Sequence, residues 1–381
     1  MRAARDEAAL AGDAEADAAG TARRLPAGYA YMPDATRGVV RALGGDELEA
    51  AGVRVVMCNV YHLSRRPGVS TVNALGGLAA MMGWKGPIVT DSGGFQAYSL
   101  IRQNPRLGSI TSQALTFSPG DGEKRIRLTP ERSIQSQLRL RSDLLFCLDD
   151  CTHPDAPDED QRASVERTVR WAAQSKRAFD QLLDQQRAAP SQRPLLFAVV
   201  QGGRDVELRR QCAERLLEIG FDGYGYGGWP IDEDGALVSD LLSLTRALIP
   251  AQFPMHALGV GHPASIVACA RMGYRQFDSA LPTRDARRGR LYAMTGSGDV
   301  DAPQKTWLEM IYIADERYAR DSRPLDEHCA GLCCRRYGRG YLRHLAKLED
   351  PLFYRLATIH NLSFMRRLTD RLDETSALAG G

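Results

Sequence analysis

LLFAVVQGG, Leu195–Gly203, runs through six apolar residues without a polar interruption and stops on a glutamine and two glycines. A strand with one wet face alternates apolar and polar residues. A strand covered on both faces does not, and unbroken runs of this kind mark parallel strands packed between helices. The segment that follows, DVELRRQCAERLLEIG, has the spacing of an amphipathic helix. The same unit recurs along the chain. The other apolar runs are AYMP (Ala30–Pro33), RVVMCN (Arg54–Asn59), PIVTDSGG (Pro87–Gly94), LLFCLDD (Leu144–Asp150), FDGYGYGG (Phe221–Gly228), MHALGVG (Met255–Gly261) and RQFDSALP (Arg275–Pro282). Helical stretches such as PERSIQSQLRL and EDQRASVERTVRWAAQSKRAFDQLLDQQ lie between them. Eight strands alternating with helices over roughly 250 residues predict an α/β fold of the (β/α)8 TIM-barrel type. A doubly wound open sheet is the rival.

Polar residues at the ends of these runs favour the barrel. Asn59, Asp91, Asp149, Gln201, Gly227 with Gly228, Gly261 and Asp278 all fall at or just past a strand's carboxyl end. A barrel gathers those ends on one rim, where its active sites form. An open sheet would string them along an edge. Any single one reads equally well as a turn or helix cap; the recurrence is what argues for a site.

The remaining sequence sets the domain expectation. Residues 1–28 read as a flexible leader, 29–300 as the barrel, and 301–381 as a smaller C-terminal subdomain. The leader is rich in alanine and acid, without the apolar stretch of a secretory signal. No apolar run is long enough to span a bilayer, and the chain reads as cytoplasmic. Past Arg290 the strand signal fades, and QKTWLEMIYIADERYARD (304–321) predicts a helix. With 49 basic and 47 acidic residues, net charge selects no partner. Eight scattered cysteines read mostly as buried thiols. Only Cys329, Cys333 and Cys334, in HCAGLCCRRYGRGYLRHL, sit close enough together to suggest metal ligands. The arginines of that stretch, Arg335, Arg336, Arg339 and Arg343, suit either phosphates or packing against the barrel.

Several segments carry chemistry. In VTDSGGFQ a carboxylate, Asp91, ends a buried strand; the glycines allow close backbone approach, and Phe95 suits stacking on a flat ligand. A helix cap is the plainer reading of the same residues. In FDSALPTRDARRG, Asp278 is followed closely by Arg284 and Arg287. That suits a nucleophile whose substrate is held by its phosphates, or else an aspartate paired with Arg284. Asp149 rather than Asp150 should face the pocket, because neighbours on a strand point to opposite sides. Carboxylates and a glutamine with few histidines at one rim fit glycosidic chemistry better than metal-assisted hydrolysis.

Taken together, MPDATRGVVRAL, CNVYHLSRRPG, GWKGPIVTDSGGFQAYSL, LTPERSIQSQ, FCLDDCTHP, VVQGG, LGVGHP, FDSALPTRDARRG and YGRGYLRHL with IHN resemble the tRNA-guanine transglycosylase family, from about Tyr31 to about Arg367. The resemblance implies a barrel with a structural zinc subdomain. It also implies exchange of a guanine in tRNA, flipped out of the RNA, for a 7-deazaguanine base. By position, Asp278 matches the nucleophile on ribose C1′ and Asp91 the general acid/base. Phe95, Asp149, Gln201, Gly228, Trp229 and Leu258 match the residues around the base, and Arg284 and Arg287 fall in an RNA-contacting loop. A homodimer is also implied. Three departures stand out. Gly227-Gly228-Trp229-Pro230 replaces a Gly-Gly-Leu-Ala segment beside the base's 7-substituent. Ser279 follows the nucleophile where cysteine is frequent. In the zinc motif Cys329, Cys334 and His360 match the first, third and fourth ligands, but Gly331 stands at the middle-cysteine position, so Cys333 is expected to substitute. These departures leave room for two alternatives: a paralogue acting on DNA, and a noncatalytic RNA-binding partner subunit.

Overall fold

In the computed structural model, which describes residues 23–120, 123–153, 156–295 and 307–379, every apolar run becomes a strand of one parallel sheet. The strands are β1 (Ala30–Pro33), β2 (Val56–Cys58), β3 (Ile88–Thr90), β4 (Leu144–Phe146), β5 (Leu195–Val200), β6 (Gly223–Tyr226), β7 (Met255–Ala257) and β8 (Gln276–Ser279). Each pairs with its sequence neighbour, except that the β1–β2 seam is joined by a single parallel bridge, Asp34 to Met57. β1 lies in register beside β8, with Ala30 opposite Gln276 and Met32 opposite Asp278. The sheet is therefore an eight-stranded, nearly closed barrel.

The unbroken apolar character of the strands follows from burial on both faces. In β5, Phe197 and Val199 join Met32, Met57, Val89 and Phe146 in the barrel interior. Leu196, Ala198 and Val200 pack outward against the helices. Asp158–Gln186, Pro130–Arg139 and Val206–Ile219 are helices, as their spacing predicts. A three-stranded antiparallel sheet, Gly108–Ile110, Leu115–Phe117 and Ile126–Leu128, is inserted between β3 and β4 and has no counterpart in the sequence reading.

The C-terminal region corrects one expectation. Leu308–Tyr312 is a strand, not part of a helix, and pairs antiparallel with Arg290–Met294. Trp307, Ile311 and Ile313 are all buried two or four residues apart, which is strand parity; packing on the neighbouring strand outweighs the helical tendency of the flanking Glu and Ala. Two short helices, Leu332–Arg336 and Arg339–Lys347, lead to a 29-residue helix, Pro351–Ala379. That helix runs along the barrel. Near its end Asp373 accepts a hydrogen bond from the backbone of Tyr29 (2.8 Å) and Asp370 pairs with Arg54 (2.9 Å). Near its middle Asn361 holds Pro282 and Arg290. Residues 1–22 of the expected leader and the expected boundary at residue 300 lie outside the described residues. Arg23, at the leader's end, donates its backbone N–H to Asp143 (2.8 Å). Among the described residues no helix is long and apolar enough to cross a membrane.

Candidate active site

Strand parity decides which polar groups reach the barrel mouth. Gln201 follows Phe197 and Val199 in phase, Asp91 follows Val89, and Asp34 follows Ala30 and Met32, all of them interior residues. On β7 and β8 the outward positions are Met255, Ala257 and Phe277, which leaves His256 and Asp278 inward. The side chains of His256 and Asp278 meet there. His256 Nε2 lies 2.8 Å from Asp278 Oδ1, and the backbone N–H of Gly259 donates to the same oxygen at 3.1 Å. An ionised carboxylate only accepts, so Nε2 carries the imidazole proton. His256 is fully buried with its ring edge-on to Phe146, and its Nδ1 has no hydrogen-bond partner among the described residues. The alternative of an Asp278–Arg284 pair is not what forms; histidine takes that role. The sequence reading gave His256 no role, because nothing local to its run ties it to Asp278.

Asp91 sits at the end of β3 in a nest of donors. The N–H groups of Val60 (2.9 Å) and Gly93 (3.1 Å) converge on Oδ1, while the amides of Asn59 and Gln96 (3.4 Å) reach Oδ2. Asn59 is itself fixed as the cap of helix Val60–Arg65, accepting from the N–H of His62 (3.0 Å). Burial pushes the Asp91 carboxyl up to about 7, against the backbone donors and with added repulsion from Asp34 and Asp278. Asp34, which the sequence reading omitted, is raised by burial too, opposed by the Thr36 hydroxyl at 2.9 Å. Three carboxylates thus share one field at the mouth. One of them is poised to hold or release a proton near neutrality.

A second set of polar and aromatic side chains stands at the ends of the neighbouring strands. Gln201 Nε2 donates to Asp149 Oδ2 at 2.7 Å. Burial raises Asp149 to about 6, with the Gln201 bond pulling the other way. Asp150 points elsewhere, as expected: it is buried against Arg167 (2.5 Å) and anchors the helix Asp158–Gln186 through Ser164 and Thr168. Gly227 has to be glycine, because a Cβ there would lie 2.6 Å from the Gln201 amide. Leu258 packs at the edge of the interior cluster and would lie 3.1 Å from a Cβ at Gly225. Phe95 and Trp229 stay 44% and 40% exposed, their rings 5.7 Å apart at 62°. The His153 ring also lies 5.7 Å from that of Trp229. Two exposed aromatic rings and a hydrogen-bonding Asp149–Gln201 pair are the elements that suit a planar heterocycle.

Arg284 and Arg287 belong to a short helix, Leu281–Arg287, rather than the loop expected for them. Pro282 near its start pre-sets the helical turn. Arg287 is lowered by burial and by Arg41, Arg284 and Arg288, so four guanidinium groups share this side of the mouth. Of the arginines in the C-terminal stretch, Arg339 binds the carbonyls of Pro324 and Leu325, and Arg343 pairs with Glu316, so both serve packing. Arg335 and Arg336 are exposed.

Cys329, Cys334 and His360 bring their ligand atoms within 4.8 Å of one another. His360 Nε2 lies 2.7 Å from the carbonyl of Tyr292, an acceptor, so Nε2 carries the proton and Nδ1, 3.3 Å from Cys334 Sγ, presents its lone pair to the cluster. Two thiols and a bare imidazole nitrogen fit a zinc-type ion. Cys333, expected to substitute for the missing ligand, lies outside that group: it is fully buried in the apolar core of the C-terminal lobe, its thiol against that of Cys334. Helical spacing accounts for this, since adjacent residues on the helix Leu332–Arg336 diverge by about 100°.

The family model described as queuine tRNA-ribosyltransferase matches residues 24–375. Proteins named queuine tRNA-ribosyltransferase are similar across most of the chain. That of Syntrophobacter fumaroxidans is 40% identical over 88% of this chain and 82% of its own length. That of Thioalkalivibrio sulfidiphilus is 39% identical over 90% and 85%, and that of Mannheimia succiniciproducens 38% over 90% and 84%.

Proposed function

The chain belongs to the queuine tRNA-ribosyltransferase family, and we propose that it is a pentosyltransferase exchanging guanine in tRNA for a 7-deazaguanine base by double displacement at ribose C1′. Asp278 attacks C1′ through Oδ2. The C1′–N9 bond breaks, and Asp91 in its acid form delivers a proton to N9 of the departing guanine. The incoming base then gives its N9 proton to the Asp91 carboxylate and attacks C1′, and the C1′–Asp278 ester bond breaks. Two inversions retain configuration, and no redox cofactor is consumed.

The observation that carries this reading is the holding of Asp278. Both of its hydrogen bonds among the described residues, from His256 Nε2 and the Gly259 N–H, fall on Oδ1. That fixes the carboxylate's plane and leaves Oδ2 to attack. The base is read at its edge: guanine N1–H and N2–H donate to Asp149, and O6 accepts from the second amide hydrogen of Gln201 and from backbone N–H at Gly228. Phe95 and Trp229 cover the ring faces, Leu258 closes the pocket, and Arg284 and Arg287 take phosphates. Cys329, Cys334 and His360 would hold a structural zinc ion, which cross-links the C-terminal lobe when bound.

The test is intact-mass analysis of protein mixed with tRNA or with duplex DNA, no incoming base being supplied. The expected result is a stoichiometric protein–tRNA adduct, lost in Asp278→Ala. An adduct with DNA alone would reassign the polymer. No adduct with either would leave a noncatalytic RNA-binding subunit and overturn the reading.

A further inference from the structure

Three protein atoms converge in the C-terminal lobe where a closed zinc site needs four. The geometry shows where the fourth would stand. A Cβ built on Gly331 lies 3.3 Å from Cys329 Sγ and 3.3 Å from Ser363 Oγ. A side chain at 331 would therefore enter the cluster between the first thiol and the Ser363 hydroxyl, and glycine leaves that direction unfilled. Ser363 lies one turn beyond His360 on the same helix, so its hydroxyl shares the face that carries the imidazole. Cys333 is buried in the lobe's apolar core with its thiol against that of Cys334, outside the group of three converging ligand atoms. A neutral hydroxyl is a poor substitute for a thiolate toward a borderline-soft ion, which prefers sulfur and imidazole.

We propose that the metal centre of this chain is held by Cys329, Cys334 and His360 alone, with a fourth coordination position, on the Gly331 and Ser363 side, open to a small exogenous donor such as an imidazole or a thiol. This rests on the metal-binding reading above but not on the exchange chemistry. Closed four-ligand sites are inert braces, whereas three-ligand sites keep a position for an outside ligand. The centre is thus an exchangeable-ligand site, and its metal is held less firmly than a four-ligand set would hold it.

Cobalt(II) loading of the full-length chain tests this without reference to activity. One cobalt per chain is expected in the wild type, Cys333→Ala and Ser363→Ala, all with equal thiolate-to-cobalt absorbance. Gly331→Cys should raise that absorbance about 1.5-fold, from two thiolates to three, and retain cobalt longer against a chelator. Added imidazole should shift the visible cobalt bands of the wild type and leave those of Gly331→Cys unmoved. The proposal is overturned if Cys333→Ala lowers the thiolate absorbance, if Ser363→Ala releases the metal, or if imidazole leaves the wild-type bands unchanged. Failure of every variant to bind cobalt would overturn both this proposal and the metal-binding reading. The covalent-adduct experiment would still stand by itself.

Discussion

Asp91→Asn is expected to trade activity for stability in a way that depends on pH. The wild-type carboxyl rises from 3.8 to about 7 on folding, chiefly through burial. A carboxyl whose folded value is raised favours the folded state fully only below its unfolded value. As pH climbs from about 4 to about 7 the unfolded chain loses this proton and the folded one does not, so stability falls and then levels off. At about 1.36 kcal/mol per unit, the shift amounts to at most about 4 kcal/mol by pH 8. Asparagine does not titrate. Its Oδ1 can keep the Val60 and Gly93 donors, while its amide meets the Asn59 and Gln96 amides badly, a roughly pH-independent cost of about 1 kcal/mol. The variant's stability relative to wild type should therefore move in its favour by up to about 4 kcal/mol between pH 4 and pH 8. With an unfolding entropy of about 2.1 cal/mol/K per residue, that is about 5 °C in Tm. Melting curves of both proteins across this range give the comparison, and guanine exchange should be abolished in the variant throughout. Parallel Tm-against-pH curves would refute the assignment of a raised carboxyl to Asp91.

Two further outcomes follow from the pocket. Asp149→Asn places a donor where the guanine edge also donates; a buried mismatch costs about 1–3 kcal/mol. The kcat/KM for labelled guanine should drop about 10- to 100-fold with tRNA affinity unchanged, and a drop of less than threefold would remove Asp149 from the base-reading set. Arg284→Ala and Arg287→Ala should weaken tRNA binding and shallow its log–log salt dependence by about 0.7 each; an unaltered slope at either position would mean that arginine touches no phosphate.

The barrel was readable because each strand is apolar on both sides and seven of the eight end in a polar residue or a glycine, a pattern that survives without any knowledge of pairing. The site was readable in part for the same reason. Asp91, Asp149, Gln201 and Asp278 end their runs, whereas His256 lies inside one. A histidine flanked by Met255 and Ala257 looks like a core residue, and only the β7–β8 register shows that it faces Asp278. Asp34 was hidden because AYMP appeared to end on a proline. The strand Leu308–Tyr312 was misread because its partner lies on the far side of a long connection, and pairing of that kind leaves no local periodicity stronger than the helical one. Cys333 falls outside the three converging ligand atoms because proximity in sequence says nothing about which side of a helical turn a thiol faces.

The rim also holds two features that a stability-driven fold would avoid, and they bear on the same two carboxylates. His256 keeps Nδ1 buried and unpaired, at a cost of about 1–3 kcal/mol, so that Nε2 can hold Asp278. Asp91 is packed until its carboxyl sits near neutrality. Such groups persist only when the surrounding structure over-determines them, and the C-terminal helix is positioned to do that. Within one turn of it, His360 Nε2 binds the carbonyl of Tyr292, while Asn361 binds the carbonyls of Pro282 and Arg290 and receives the N–H of Tyr292. Pro282 stands four residues beyond Asp278, at the start of the arginine-bearing helix. The residue that would ligate the metal and the residue that clamps the exit of the strand bearing Asp278 are therefore neighbours on one rigid element. Asp149, Gln201 and Gly228, at the ends of β4, β5 and β6, have no such tie to it among their hydrogen bonds. By this geometry the C-terminal lobe braces Asp278 and the arginine-bearing helix, while Asp149, Gln201 and Gly228 are placed by the barrel strands themselves.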